Sequence, residues 1–164
     1  MLAVKSIQKE IVIQAIPEKV FAFMDDLSKT GMHMSQSSMM MMGSKLTLEQ
    51  LEGSSKGVGA TFHWSGKVMG LPIDITETVT KWIENKEKVW ETIGSPKIII
   101  LGWYRMSLKT EPAKEGTLAS LQIEYTQPNG WFYKILSFFF AGWYSRWCLN
   151  NMLNDTKKEF EKST

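Results

Sequence analysis

At 164 residues and a formal charge of +2, the chain is sized for one domain over 1–164, enough to close a real core and too little for two comfortable ones. Its basic residues (among them Lys5, Lys9, Lys19, Lys45, Lys67, Lys97 and Lys134) are scattered rather than massed, which argues against nucleic acid as a partner. The lone cysteine, Cys148, permits no intrachain disulfide and suits a buried inert thiol; together with a start that lacks the build of a signal peptide, this leads us to expect a cytoplasmic protein.

Residues 4–14 alternate and are rich in Val and Ile, which predicts a strand. Pro17 then sits where a first helical turn tolerates a missing N–H, and Val20, Phe21, Met24 and Leu27 follow at helical spacing. Residues 28–44 form a polar, methionine-rich connection with room for a second short helix. Six strand signals come next, at 46–51, 58–69, 73–83, 88–93, 98–109 and 117–126, separated by turn chemistry such as Gly53-Ser54-Ser55 and Gly94-Ser95-Pro96. Short joints make the six an antiparallel meander.

From Trp131 to Glu161 the chain reads as one long helix. At about 100° per residue, Leu149, Leu153, Thr156 and Phe160 share a face with Trp131, Ile135, Phe138 and Gly142, while Asn150, Asn154 and Lys158 lie opposite. Opposite that face in the first half stands a second apolar stripe, Phe132, Leu136, Phe140, Trp143 and Trp147. Lys134, Ser137, Ser145 and Arg146 argue against a membrane span. The second stripe is open to three occupants: a lipid interface touched peripherally, a second copy of the chain in a homodimer, or the protein's own interior after a bend near Gly142 or a fold-over of the methionine segment.

A sheet with one apolar face needs a cover, and the terminal helix is the long element available. Alternation turns Phe62, Trp64 and Val68, then Ile98, Ile100, Tyr104 and Met106, then Leu121, Ile123 and Tyr125 toward that helix, with His63, Lys67, Arg105 and Glu124 to solvent.

This order of elements, with Ile-Pro-Glu-Lys-Val-Phe-Ala-Phe (16–23) after the first strand and Gly57-Val58-Gly59-Ala60 opening the third, resembles the START-like superfamily of polyketide cyclase/dehydrase-type, birch-pollen-allergen-like and coenzyme Q-binding proteins. The resemblance implies an α+β helix-grip fold: a curved seven-stranded antiparallel sheet wrapped around the C-terminal helix, one or two short helices after the first strand, and a cavity for a hydrophobic small molecule. It carries over no catalytic residue and implies no cofactor.

Several constellations are candidates for such a site. Met32, Met34 and Met39, in a run of six methionines between 32 and 42, offer adaptable thioethers as a gate over an apolar pocket, or merely cover the core edge. A Cu(I) site at Met32-His33-Met34 lacks a CxxC or second histidine to complete it, and no other metal motif is present. Glu77 shares a strand face with Ile73, Ile75 and Val79; facing inward it would be a carboxylate in an apolar cavity, the one weak catalytic candidate, but a break in register that turns it outward is the preferred reading. Asp25 ends the first helix, where a solvated carboxylate is the ordinary reading. Arg146 lies near the inward arc, positioned to pair with Glu77 or Asp25, to bind an anionic ligand head, or to snorkel to the rim. The expected ligand-contacting set is therefore Met32, Met34, Met39, Phe62, Trp64, Glu77, Tyr104, Met106, Tyr125, Ile135, Phe138, Gly142 and Arg146. The functional expectation is binding or transport of a lipid, isoprenoid or polyketide-like molecule; the alternatives are a cyclase or dehydratase with Glu77 or Tyr104 as acid/base, and an interaction module using the second stripe.

Overall fold

The local patterns are realised in a computed structural model that describes residues 3–30, 45–51, 53–68 and 70–162. The alternating Ile-rich start forms β1 (Lys5–Ile13); Pro17 opens α1 (Pro17–Asp25), followed by α2 (Leu27–Thr30). Then come β2 (Lys45–Gln50), β3 (Thr61–Val68), β4 (Leu71–Ile83), β5 (Glu87–Lys97), β6 (Tyr104–Ala113), β7 (Gly116–Tyr125) and the terminal helix α3 (Trp131–Glu161). The strands form one antiparallel sheet in the order β1-β7-β6-β5-β4-β3-β2, the meander closed by β1 against β7. The helix-grip architecture is as expected.

Several strand boundaries differ from the periodicity: β3 opens at Thr61, β6 runs on to Ala113, and the largest differences lie over residues 94–103. Gly94-Ser95-Pro96 does not break the chain into a turn; β5 runs through it to Lys97, with Gly94 at φ +70° and a register shift between Asp74 and Thr76 on β4 absorbing the irregularity. Conversely, 98–103 leaves the ladder. The Gly102 amide donates to the Thr126 carbonyl at 2.8 Å and the Trp103 amide to Thr126 Oγ1 at 3.0 Å, so this segment is tied to the exit of β7. A Cβ at Gly102 would lie 2.7 Å from Thr126 Oγ1 and 2.8 Å from the Gln127 carbonyl oxygen, so the close approach requires glycine.

The core lies between the concave face of the sheet, the two short helices and α3. It gathers Trp64, Ile75, Val79, Trp90, Met106, Leu108, Leu121 and Ile123 from the sheet, Phe21 and Met24 from α1, and Leu149, Met152 and Leu153 from α3. The second half of α3 faces inward as its amphipathy requires: Leu149, Leu153 and Thr156 are buried. In the first half the buried positions are Ser137, Ala141 and Ser145, roughly a quarter of a turn from the Trp131/Ile135/Phe138 arc. The largest side chains therefore do not point inward. Where a helix lies close on a sheet, small side chains let the backbones approach; at Gly142 an added Cβ would meet the Tyr125 phenolic oxygen at an ordinary contact distance of 3.8 Å. No described helix is long and apolar enough to cross a membrane.

Candidate functional site in the sheet–helix gap

Between the sheet and α3 is a cavity of about 70 Å³ with an almost wholly apolar lining. Trp64, Ile75, Trp90, Met106 and Ile123 form its floor, Tyr144, Ser145, Cys148 and Met152 its roof, and Leu27, Ile98 and Leu101 close its sides. Glu77 and Tyr104 supply its polar end. Glu77 is 4% exposed, so the preferred outward reading is corrected: β4 is regular from Thr76 to Val79, and Glu77 keeps the face of Ile75 and Val79. Opposite it on β3 is Phe62; on the other side Thr92 of β5 separates it from Tyr104 of β6, whose amide Thr92 Oγ1 accepts at 3.3 Å. The Tyr104 hydroxyl donates to Glu77 Oε1, and Trp64 Nε1 donates to Oε2 at 3.2 Å.

Burial pushes the Glu77 carboxyl above its ordinary value, while the bonds from Tyr104 and Trp64 and the charge of Lys88 work to lower it. Tyr104 is held well above the phenol range, first by burial and then by the Glu77 charge. Tyr144 is likewise raised by burial, and the Cys148 thiol is pushed up to about 12 against a hydrogen bond with Tyr144 that lowers it. At neutral pH both phenols and the thiol are therefore protonated, leaving Glu77 as the lining group able to exchange a proton. A thiol raised this far is a poor nucleophile at neutral pH. Among the described residues, Ser145 Oγ, buried on the roof, has no hydrogen-bond partner, and neither has Ser137 Oγ.

A second buried polar group flanks the cavity. Lys88 Nζ, on β5, lies 2.8 Å from Asp25 Oδ1 and donates to the Asp25 carbonyl oxygen at 2.7 Å, and Trp82 Nε1 donates to Asp25 Oδ2 at 3.2 Å. Asp25 is thus no solvated helix end. Alternation carried the missed signal, since Lys88 falls in phase with Trp90 and Thr92 on the inward face of β5. The ammonium lies 5.3 Å from the Trp90 ring centre and 6.0 Å from that of Phe62.

Of the residues expected at the ligand, Trp64, Glu77, Tyr104 and Met106 line this cavity. Phe62 instead lines an outer groove between α1–α2 and β2–β3, and Tyr125 is buried beneath Gly142, away from the lining. Ile135 and Phe138 are corrected to the exposed side of α3. Arg146 is also exposed, its Nη1 over Gly142, and joins neither Glu77 nor Asp25. On the second stripe, Phe132, Phe140 and Trp143 are exposed, Leu136 is half-buried, and Trp147 packs against the core and tilts over Tyr144 at 5.7 Å. Met32, Met34 and Met39, with the rest of the methionine run and His33, lie outside the described residues. His63 lies on the outer face, with Nε2 3.1 Å from Asp74 Oδ1. Among the described residues no cluster of His, Cys, Asp and Glu could hold a metal.

No protein-family model matches the chain, and no curated protein matches its sequence. Solved structures match along its whole length. The aromatase/cyclase Zhui from a Streptomyces species superposes with a TM-score of 0.74 at 10% identity, over 98% of this chain and 95% of that one. A protein from Thermus thermophilus gives 0.72 at 16% identity, over 98% and 99%. The fold is therefore the helix-grip fold that these solved structures share. A major latex-like protein from Panax ginseng gives a TM-score of 0.64 at 12% identity, over 98% and 99%. At these identities the likeness is one of architecture; the side chains lining the gap are this chain's own.

Proposed function

We propose that the protein binds a hydrophobic small molecule, a lipid, isoprenoid or polyketide-like compound, between sheet and α3, with a neutral polar group of that ligand against Glu77. The observation that carries this reading is a single carboxyl, shared between Tyr104 and Trp64, at one end of an otherwise apolar enclosure. A polar pair inside such a lining is the pattern of a site that orients a ligand through few bonds. An anionic head would be buried in an apolar lining and repelled by Glu77 whenever it ionises, so a hydroxyl or carbonyl suits this end better.

At about 70 Å³ the enclosure holds on the order of two waters. A larger ligand seats by moving its walls. Ile98 and Leu101 divide the cavity from an open groove of about 530 Å³ that runs past Pro96, Trp103, Pro128 and Tyr133, and displacing this segment, which lies outside the strand ladder, joins the two spaces. Met106 and Met152 add adaptable walls.

A second reading rests on the Glu77–Tyr104 hydrogen bond: proton transfer on a polyketide-like substrate, consistent with the name of the Streptomyces neighbour. Both readings meet one experiment. Neutral probes (a fatty alcohol, an isoprenoid quinone, an aromatic polyketide) are titrated while tryptophan fluorescence is followed, with Ser145→Phe as the cavity-filling variant and Glu77→Gln as the acid/base variant. Saturable binding that Ser145→Phe abolishes supports the cavity, and binding indifferent to it refutes the cavity. Turnover lost in Glu77→Gln with binding retained selects the enzyme.

A further inference from the structure

We propose that the first half of α3 is a docking face for an anionic lipid surface, independently of what the cavity holds. Since Ser137, Ala141 and Ser145 take the sheet-facing positions, the aromatic residues are left outside. Trp131 is 76% exposed, Phe138 68% and Phe139 67%, and Phe132, Phe140 and Trp143 are each about half exposed. Taking about 200 Å² per ring, these six present on the order of 700 Å² of apolar surface, spread over about half the girth of the helix with Phe132, Phe139 and Trp143 at its centre. Beyond Leu149 the same arc carries Asn150, Asn154 and Lys158, all exposed, so the patch ends with the first half of the helix.

Charge selects the occupant. From Tyr125 to Asn154 the chain contains no side-chain carboxylate, while Lys134 and Arg146 stand exposed within the aromatic segment, and Lys5 of β1 reaches over Phe138 with its ammonium 5.7 Å from the ring centre. Arg146 projects on the exposed arc between Ile135 and Phe139 on the helical wheel. Pairing two copies through this face would bury that guanidinium with no carboxylate on the first half of either helix to meet it, a costly arrangement. At a lipid interface the opposite holds: tryptophan and tyrosine rings suit the headgroup level, and Lys and Arg extend along their stems to anionic phosphates. With no described helix able to span, the face lies on the surface rather than crossing it.

The test is flotation of the whole chain with vesicles of phosphatidylcholine alone and of phosphatidylcholine with phosphatidylglycerol, at low and physiological salt, alongside sedimentation velocity without lipid. The expected result is a monomer that floats with the phosphatidylglycerol vesicles, less so as salt rises, with partitioning reduced about tenfold or more by Arg146→Glu and abolished by Phe139→Glu with Trp143→Glu. These positions are exposed, so unchanged circular dichroism should accompany the loss. Absence of flotation, equal flotation with both vesicles regardless of salt, or flotation that survives the substitutions would each overturn the proposal. So would a dimer in solution that Trp143→Glu dissociates, which would assign the face to a second copy.

Discussion

Replacing Lys88 with methionine tests whether the ion pair beneath α1 holds the cavity wall in place. The Lys88 and Asp25 side chains are 2% and 6% exposed, and Nζ makes close contacts with both Oδ1 and the main-chain oxygen of Asp25. Methionine keeps an unbranched stem against Trp90 and Phe62 and removes the charge, leaving the Asp25 carboxylate, among the described residues, with the Trp82 bond alone. Breaking one side of a buried pair costs about 3–5 kcal/mol; for a chain of this size about 2–4 °C of Tm accompanies each kcal/mol, so Lys88→Met should melt roughly 10 °C lower. Asp25→Asn alone should also destabilise, because it strands the ammonium. The double variant should recover much of the loss, since both charges then leave together. Urea denaturation of the four proteins at neutral pH completes the cycle. A Lys88→Met variant within about 1 kcal/mol of wild type, the range of an exposed pair, would refute the assignment of a buried, structure-holding ion pair.

Glu77 should make stability depend on pH. Its folded value lies above its ordinary 4.5, so the folded state holds the proton more tightly; that contribution is complete below about 4.5 and is lost as pH rises through the raised value. Urea midpoints of Glu77→Gln should therefore gain on wild type as pH rises through that window, and parallel curves would contradict the placement. With its pKa near 12, Cys148 at pH 8 is thiolate in about one molecule in ten thousand; iodoacetamide should label it slowly in the folded protein and rapidly in urea, and equal rates would show that the thiol is open to solvent. Gly102→Ala, which forces a Cβ against Thr126 and Gln127, should cost about 1–3 kcal/mol, read as a lowered urea midpoint; a neutral effect would show that the 98–102 wall shifts freely.

Period-two alternation, Pro17 and the turn residues are local signals, and they were enough for the seven strands, their antiparallel order and the long terminal helix. Trp64, Tyr104 and Met106 followed from the same alternation. The inward turn of Glu77 needed the β3–β4–β5 register, because a lone acid among apolar neighbours is equally compatible with a bulge. Lys88 was passed over because hydropathy sends a lysine outward, although its phase with Trp90 was visible. The first half of α3 misleads for a different reason: a helical wheel gives the largest apolar residues to the core, whereas Ser137, Ala141 and Ser145 take the sheet-facing positions there. Roof residues such as Tyr144, Cys148 and Met152 were illegible for the same reason, since their facing depends on that quarter-turn.

Native mass spectrometry of the freshly purified protein, followed by organic extraction and identification of anything released, bears most directly on the claim that this gap is a ligand site. A hydrophobic passenger at one per chain, carrying a hydroxyl or carbonyl and missing from Ser145→Phe, is the predicted result. An empty protein that also takes up none of the neutral probes, or a passenger retained undiminished by Ser145→Phe, would contradict it.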